Sequence, residues 1–287
     1  MPLELAIALS ALASAALSTG LYIMKVRAVA LPSLGTGFRW RAWLAFVRDP
    51  GWLSGLGLQV AGYALYFFVL RFAPLSLVHA AHTGGLVLFL LLSVFVLGEP
   101  AGAREWLGGL AVIGGLVCLG LSLDDEGSAS PTQVELFLFT LSCIVLAALA
   151  VLTDRRPNRP VGTSLAAGLI LGLAGVFAKL VATASSVPEA LQSSALWLAL
   201  GTNIGGFALM QAALQNGRGV VVAPIFALLS DLVPIAAGLI IFHEGLPDDP
   251  AAAALRLCAF ALALGGAAAL ATSAEVQADP KQPTARN

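Results

Sequence analysis

Charge is what this sequence has least of. Only 11% of its 287 residues are Asp, Glu, Lys or Arg, where soluble domains carry about a quarter. The 15 basic and 16 acidic residues leave a formal charge of −1. A polyanion needs a basic surface, so no nucleic-acid partner is expected. Cysteine is scarce as well. Cys118, Cys143 and Cys258 all lie inside apolar runs without CxxC spacing, which implies neither a disulfide framework nor a metal site. No motif implies a cofactor. What the chain has instead is hydrocarbon: 59% apolar residues and a mean hydropathy of +0.91. That composition describes an all-α, polytopic membrane protein.

The apolar runs predict nine spans. The first, Leu3–Met24, has a cleaved signal peptide as its rival reading. No positive charge precedes it, however, and Lys25 and Arg27 follow it, which favours a membrane helix. Residues Val26–Pro50 interleave Arg39, Arg41 and Arg48 with Trp40 and Trp43. Three arginines in the path of a second span favour an interfacial helix there. Gly51–Leu70, Leu75–Leu97 and Trp106–Leu123 follow, then an acidic loop from Asp124 to Pro131. Val134–Leu152 is the fifth span, Gly162–Ala184 the sixth, Ala195–Leu214 the seventh, Val220–Phe242 the eighth and Ala251–Ala271 the ninth. A polar tail expected to be disordered begins at Glu275.

The positive-inside rule orients this arrangement. Lys25, Arg27, Arg39, Arg41 and Arg48 fall on the same side as Arg104, Arg155, Arg156, Arg159, Arg218, Lys281 and Arg286. The acidic loops Asp124–Glu126 and Asp248–Asp249 fall on the other, with Arg71 and Arg256. The expected topology in the cell (plasma or inner) membrane has the amino terminus outside and the carboxyl terminus in the cytoplasm.

Val220–Phe242 is the informative run. It holds 23 nearly unbroken apolar residues, a helix of about 35 Å against a hydrocarbon core of about 30 Å. Asp231 stands at its midpoint between Pro224 and Pro234. A carboxylate at the bilayer centre costs about 2.5–3.5 kcal/mol, so it is rarely left facing lipid. Prolines within a span free backbone carbonyls, which are tolerated against other helices or a wet cavity.

A shift of about 144 residues exposes an internal repeat. Gly62-Tyr63-Ala64-Leu65 falls on Gly206-Phe207-Ala208-Leu209, Gln59 falls on Asn203, and one residue later in register Glu99 falls on Glu244. Gly20 with Lys25 resembles Gly175 with Lys179. Spans one to four thus repeat as spans six to nine. The odd offset of five spans inverts the second copy, an arrangement of secondary transporters whose sites lie near the midplane between repeats. The competing explanation is chance likeness among apolar helices. The expected units are a first repeat, 1–123, including the basic segment 25–50; a spacer region, 124–160; a second repeat, 161–272; and the tail, 273–287.

The segment ALYFFVLRFAPLSLVHAAHTGGLVLFLLLSVFVLGEP resembles the EamA-type repeat of the drug/metabolite transporter superfamily, and ALMQAALQNGRGVVVAPIFALLSDLVPIAAGLIIFHEG resembles its second copy. The nine-span count, the long basic segment after the first span and the lysines of the first helices are similar to the NIPA-type magnesium transporter branch. The first repeat departs from that branch at Val78–His82, where the branch favours Thr-Pro-Leu-Gly. The resemblance implies an inverted-repeat bundle and transport of a small solute.

Each polar residue within the spans has a functional and a plain reading. Asp231 is a partner for substrate, cation or proton, or a structural carboxylate beside backbone freed by Pro234. His79 and His82, at i and i+3, share a face and suit proton relay or a borderline divalent metal, or simple hydrogen bonding in a cavity. Gln59 and Asn203 line a pseudo-symmetric site or tie helices together. Tyr63 and Tyr66 contact an organic substrate or only pack. Lys179 sits near the end of its helix, where its stem reaches the interface, or else contacts substrate. Glu99 and Glu244 are expected to terminate helices at the surface.

The leading expectation is a secondary transporter of a metabolite, drug-like compound or cation. Its partners are that small-molecule or ion substrate and the lipid bilayer; a homodimer is left open. Magnesium would need several oxygens in octahedral array, of which one carboxylate and two amides supply few. An integral-membrane enzyme acting on lipid phosphates is the alternative suggested by Asp124-Asp125 and Asp248-Asp249. No nucleophile–base constellation accompanies those pairs, so no enzyme activity is expected.

Overall fold

Lys25 and Arg27 do not end the first helix. In the computed structural model α1 runs Leu3–Ala30, past the expected stop at Met24, because both cations find partners within the protein. Lys25 is 4% exposed, and Arg27 forms a two-pronged bond to Asp49, Nε to Oδ1 at 3.0 Å and Nη2 to Oδ2 at 2.5 Å. A cation so partnered no longer marks a helix boundary. The structure describes residues 3–34, 40–70, 85–121, 131–154, 160–182, 186–243 and 249–276.

The basic segment contains a short helix. α2, Trp40–Arg48, buries Ala42 and Phe46 and leaves Trp40 and Val47 exposed. Its nine residues reach about 13 Å, too short to cross a bilayer. Asp49 then accepts from the Trp52 backbone N–H at 2.6 Å, capping α3, Pro50–Leu70.

Further along come α4, described over Gly85–Val96; α5, Ala103–Leu121; α6, Gln133–Thr153; α7, Val161–Ala182; the short α8, Val187–Gln192; α9, Ser194–Asn216; α10, Gly219–Ile240; and α11, Pro250–Val276. α11 passes Glu275, where the disordered tail was expected to begin. Among the described residues six helices are long and apolar enough to cross a membrane: α1, α6, α7, α9, α10 and α11. The chain is a multi-pass helical membrane protein. α3 and α5 run 21 and 19 residues. Residues 75–84 of the third expected span, including His79 and His82, lie outside the described residues.

Between lipid tails and leucines there is no hydrophobic preference to exploit, so helices in a membrane associate through close van der Waals approach. The chief pairings are α1 with α3, α7 with α9, α5 with α11 and α7 with α10. Two crossings depend on absent side chains. A Cβ on Gly20 would stand 2.6 Å from the Gly55 oxygen, and one on Gly55 2.8 Å from the Gly20 oxygen. Gly108 and Gly266 meet the same way across α5 and α11, at 3.0 and 2.6 Å.

α6 packs on α7 and buries only Cys143 and Ala147. Leu136 and Phe139 are half-buried against the neighbouring cluster, while a broad face that includes Phe137 and Leu152 is exposed, as on a lipid-facing helix. The largest buried cluster among the described residues lies where α1, α2, α3, α4, α7, α9 and α10 converge, around Met24, Phe46, Trp52, Phe89, Met210 and Leu214.

Candidate functional site

α10 remains helical through both of its prolines. Proline has no N–H, so Pro234 removes the intrahelical donor for the Ser230 carbonyl and Pro224 does so for Val220. Pro234 also presses against α7, where a Cβ on Gly175 would come within 3.1 Å of its ring. The backbone is thus loosened on the turn that carries Asp231.

Asp231 lines a cavity of about 440 Å³, within the range of small-molecule sites. The wall is made by α1 (Leu17, Ser18, Leu21), α3 (Gln59, Tyr63), α4 (Leu86, Phe89), α5 (Leu116), α7 (Leu171, Ala174, Gly175, Ala178), α9 (Asn203, Phe207, Met210) and α10 (Phe226, Ala227, Ser230, Asp231). Asp231 is the one charged side chain among these described lining residues. Four expected site residues therefore meet here: Asp231, Gln59, Asn203 and Tyr63. Tyr66 lies one turn beyond Tyr63 on α3.

The amides have protein partners. Gln59 Nε2 donates to the Leu17 carbonyl of α1 at 3.0 Å, and Asn203 Nδ2 donates to the Ala199 carbonyl of its own helix at 3.0 Å. Lys179 does not line the cavity. Its Nζ stands 4.2 Å from the centroid of the Phe242 ring, a cation–π distance. Ser18 and Ser230, which sequence reasoning passed over, do line it; Ser18 Oγ donates to the Gly85 carbonyl at 2.6 Å. Lone serines in apolar helices carry no signal until the helices are placed.

A second polar assembly closes one end of the bundle, and here an expectation is corrected. Glu99 does not simply end a helix at the surface. α4 finishes in a π-turn, Leu92–Val96; Gly98 then adopts φ +67°, which glycine enters without steric cost. The Glu99 N–H turns back to the Ser93 carbonyl at 3.0 Å, and its side chain is only 12% exposed.

The Glu99 carboxylate accepts from the Gly219 and Val220 N–H groups at 2.9 and 3.1 Å. These are orphan donors at the start of α10, where the helix dipole also favours an anion. Lys25 Nζ stands 2.8 Å from Glu99 Oε1 and donates to the Leu214 and Gly217 carbonyls at 3.3 and 2.7 Å. Arg218 extends the assembly to Glu105 Oε1 at 3.0 Å and to the Pro100 carbonyl at 2.6 Å. Nothing in the sequence joins Lys25 to Glu99; each looks like an ordinary helix-end charge.

Among the described residues no group of three or more His, Cys, Asp or Glu is arranged to hold a metal ion. No family model matches the chain, and no solved structure matches it. The chain is 23% identical over 289 residues, covering 94% of its own length and 83% of the other, to a probable magnesium transporter, NIPA9, of Arabidopsis thaliana.

Proposed function

We propose that this protein is a secondary transporter that carries a small cationic solute by alternating access, with Asp231 as the group that receives it. The observation that carries this reading is a carboxylate at the middle of an apolar span, on the wall of a cavity about 440 Å³ in volume. An intramembrane ionisable residue marks a substrate or ion pathway by default. The likeness to a transporter along 94% of the chain supports the same class of activity. For the lipid-phosphate alternative there is little support: Asp249 accepts from the Ala252 N–H at 3.0 Å and caps α11, while Asp124, Asp125 and Asp248 lie outside the described residues.

The architecture that fits is nine spans in two inverted repeats of the EamA type: α1, α3, α4 and α5 repeat as α7, α9, α10 and α11, and α6 is the spacer. Positions related by the shift of about 144 residues lie together on the cavity wall: Gln59 with Asn203, Tyr63 with Phe207, and Leu86 with Asp231. The pairings α1 with α3 and α7 with α9 also correspond. The unit boundaries near residues 123, 160 and 272, an external amino terminus in the plasma or inner membrane, and a homodimer belong to the same proposal. His79 and His82 are assigned no role within it.

Magnesium is a second reading, favoured by the likeness to a probable magnesium transporter. Against it, the cavity offers one carboxylate, and magnesium is held by oxygens in near-octahedral array or keeps its own water. The test is uptake into proteoliposomes of a panel containing Mg²⁺ and small organic cations, with and without a pH gradient. Asp231→Asn should reduce uptake of the carried cation at least tenfold, about 1.4 kcal/mol of lost stabilisation. Undiminished uptake by this variant at every pH would remove Asp231 from the mechanism.

A further inference from the structure

Two layers of buried side chains lie between Asp231 and one end of the bundle. Asp231 lies twelve residues beyond Gly219 on α10 (231 − 219), about 18 Å along the helix axis. Every residue of α10 from Gly219 to Ile225 is buried, as is every residue of α9 from Met210 to Leu214. These two stretches, with Met24 and Phe89, form a buried plug more than a helical turn thick, apolar except for Gln211. Beyond the plug lies the assembly of Lys25, Glu99, Glu105 and Arg218.

That assembly joins parts of the chain that any opening at this end must separate. Glu99 leaves α4 and grips the first two N–H groups of α10. Lys25 leaves α1 and grips Glu99, the Leu214 carbonyl in the last turn of α9 and the Gly217 carbonyl just beyond it. Arg218, in that connection, grips Glu105 at the start of α5. Ion pairs carried on separate helices are what rigid-body transitions make and break. The contact at Gly219 is so close that a Cβ would stand 2.6 Å from Ser93 Oγ, and this buried hydroxyl has no hydrogen-bond partner among the described residues. A polar atom left unsatisfied at such a joint costs free energy, so the closed arrangement carries one group that gains by separation.

We infer that Lys25–Glu99, reinforced by Arg218–Glu105, is an ionic latch that holds the cavity shut at the α10 amino-terminal end, and that breaking it exposes Asp231 to that side. The inference rests on the transporter reading for its purpose but not for its test. In a two-state carrier the two ends are never open together, so weakening the latch shifts the population toward one access and away from the other. A contact that served stability alone would have no such reciprocal effect.

The experiment places a single reporter, Ser230→Cys, in a full-length parent with Cys118, Cys143 and Cys258 replaced by alanine. A membrane-impermeant maleimide is added from either side of sealed vesicles. In the parent, labelling proceeds from the side opposite the latch. Glu99→Gln and Lys25→Met should raise labelling from the latch side by about tenfold and lower it from the opposite side. Arg218→Gln should shift both rates the same way by about threefold; its side chain is 23% exposed, so this variant tests the latch even if the buried lysine proves necessary for folding. Labelling that rises from both sides, or changes from neither, overturns the latch. Cation flux by the parent without the reporter is measured separately. Reciprocal labelling without flux would sink the transporter reading and leave the latch standing.

Discussion

Asp49 shows how much one residue outside the spans can organise. It receives Arg27 from α1 and caps α3, and the Arg27 hydrogen bond, followed by the Trp52 N–H, holds its carboxyl below its ordinary value. A carboxylate with a depressed folded pKa contributes stability above its unfolded pKa of about 3.9 and loses it as pH falls through the folded value. The melting temperature in detergent should therefore drop as pH falls from about 5 to 3, and Asp49→Asn should flatten this part of the profile while lowering stability above it. Asp231 was legible because a lone carboxylate among 23 apolar residues has no cheap place to go. Glu99 was not. A glutamate beside Gly-Pro at a helix end is ordinarily solvated, and only the placement of α10 and α1 buries it. His79 and His82 drew notice by the same rarity as Asp231, but they lie outside the described residues.

At the scale of elements, helix existence was readable and helix length less so. The apolar runs found each described long helix, because about twenty consecutive apolar residues leave little else for the chain to do. Ends moved where a charge was satisfied internally, as at Lys25. The pairing of helices is a matter of surface detail that composition does not contain. Gly115 illustrates it: a Cβ there would stand 2.7 Å from the Ala263 Cβ and 2.8 Å from the Ala259 oxygen. Gly115→Val should force α5 and α11 apart at a cost of about 1–3 kcal/mol, read as a fall in unfolding temperature. Gly114→Ala, whose new Cβ would stand an ordinary 3.5 Å from the Leu262 side chain, should be nearly neutral. Equal losses in the two variants would contradict the close crossing.

For the molecule as a whole, a membrane predicts which surface is wet by lipid. Trp197 on α9 is 67% exposed, whereas Trp52 is 2% exposed inside the cluster formed with Phe46 and Phe207. In single-tryptophan variants, lipids with brominated acyl chains should quench Trp197 strongly and Trp52 weakly; the reverse order would refute the packing. The cavity has a further consequence, for voltage. Its described wall bears a single negative charge, on Asp231. A monovalent cation seated there makes the loaded carrier electrically neutral, whereas a divalent one leaves it positive. Voltage acts on moving charge at about 2.3 kcal/mol per elementary charge per 100 mV. Exchange of a monovalent cation between saturated compartments should therefore ignore an imposed potential, and exchange of a divalent cation should follow it. The electrical behaviour of the loaded carrier would thus report the valence of its cargo.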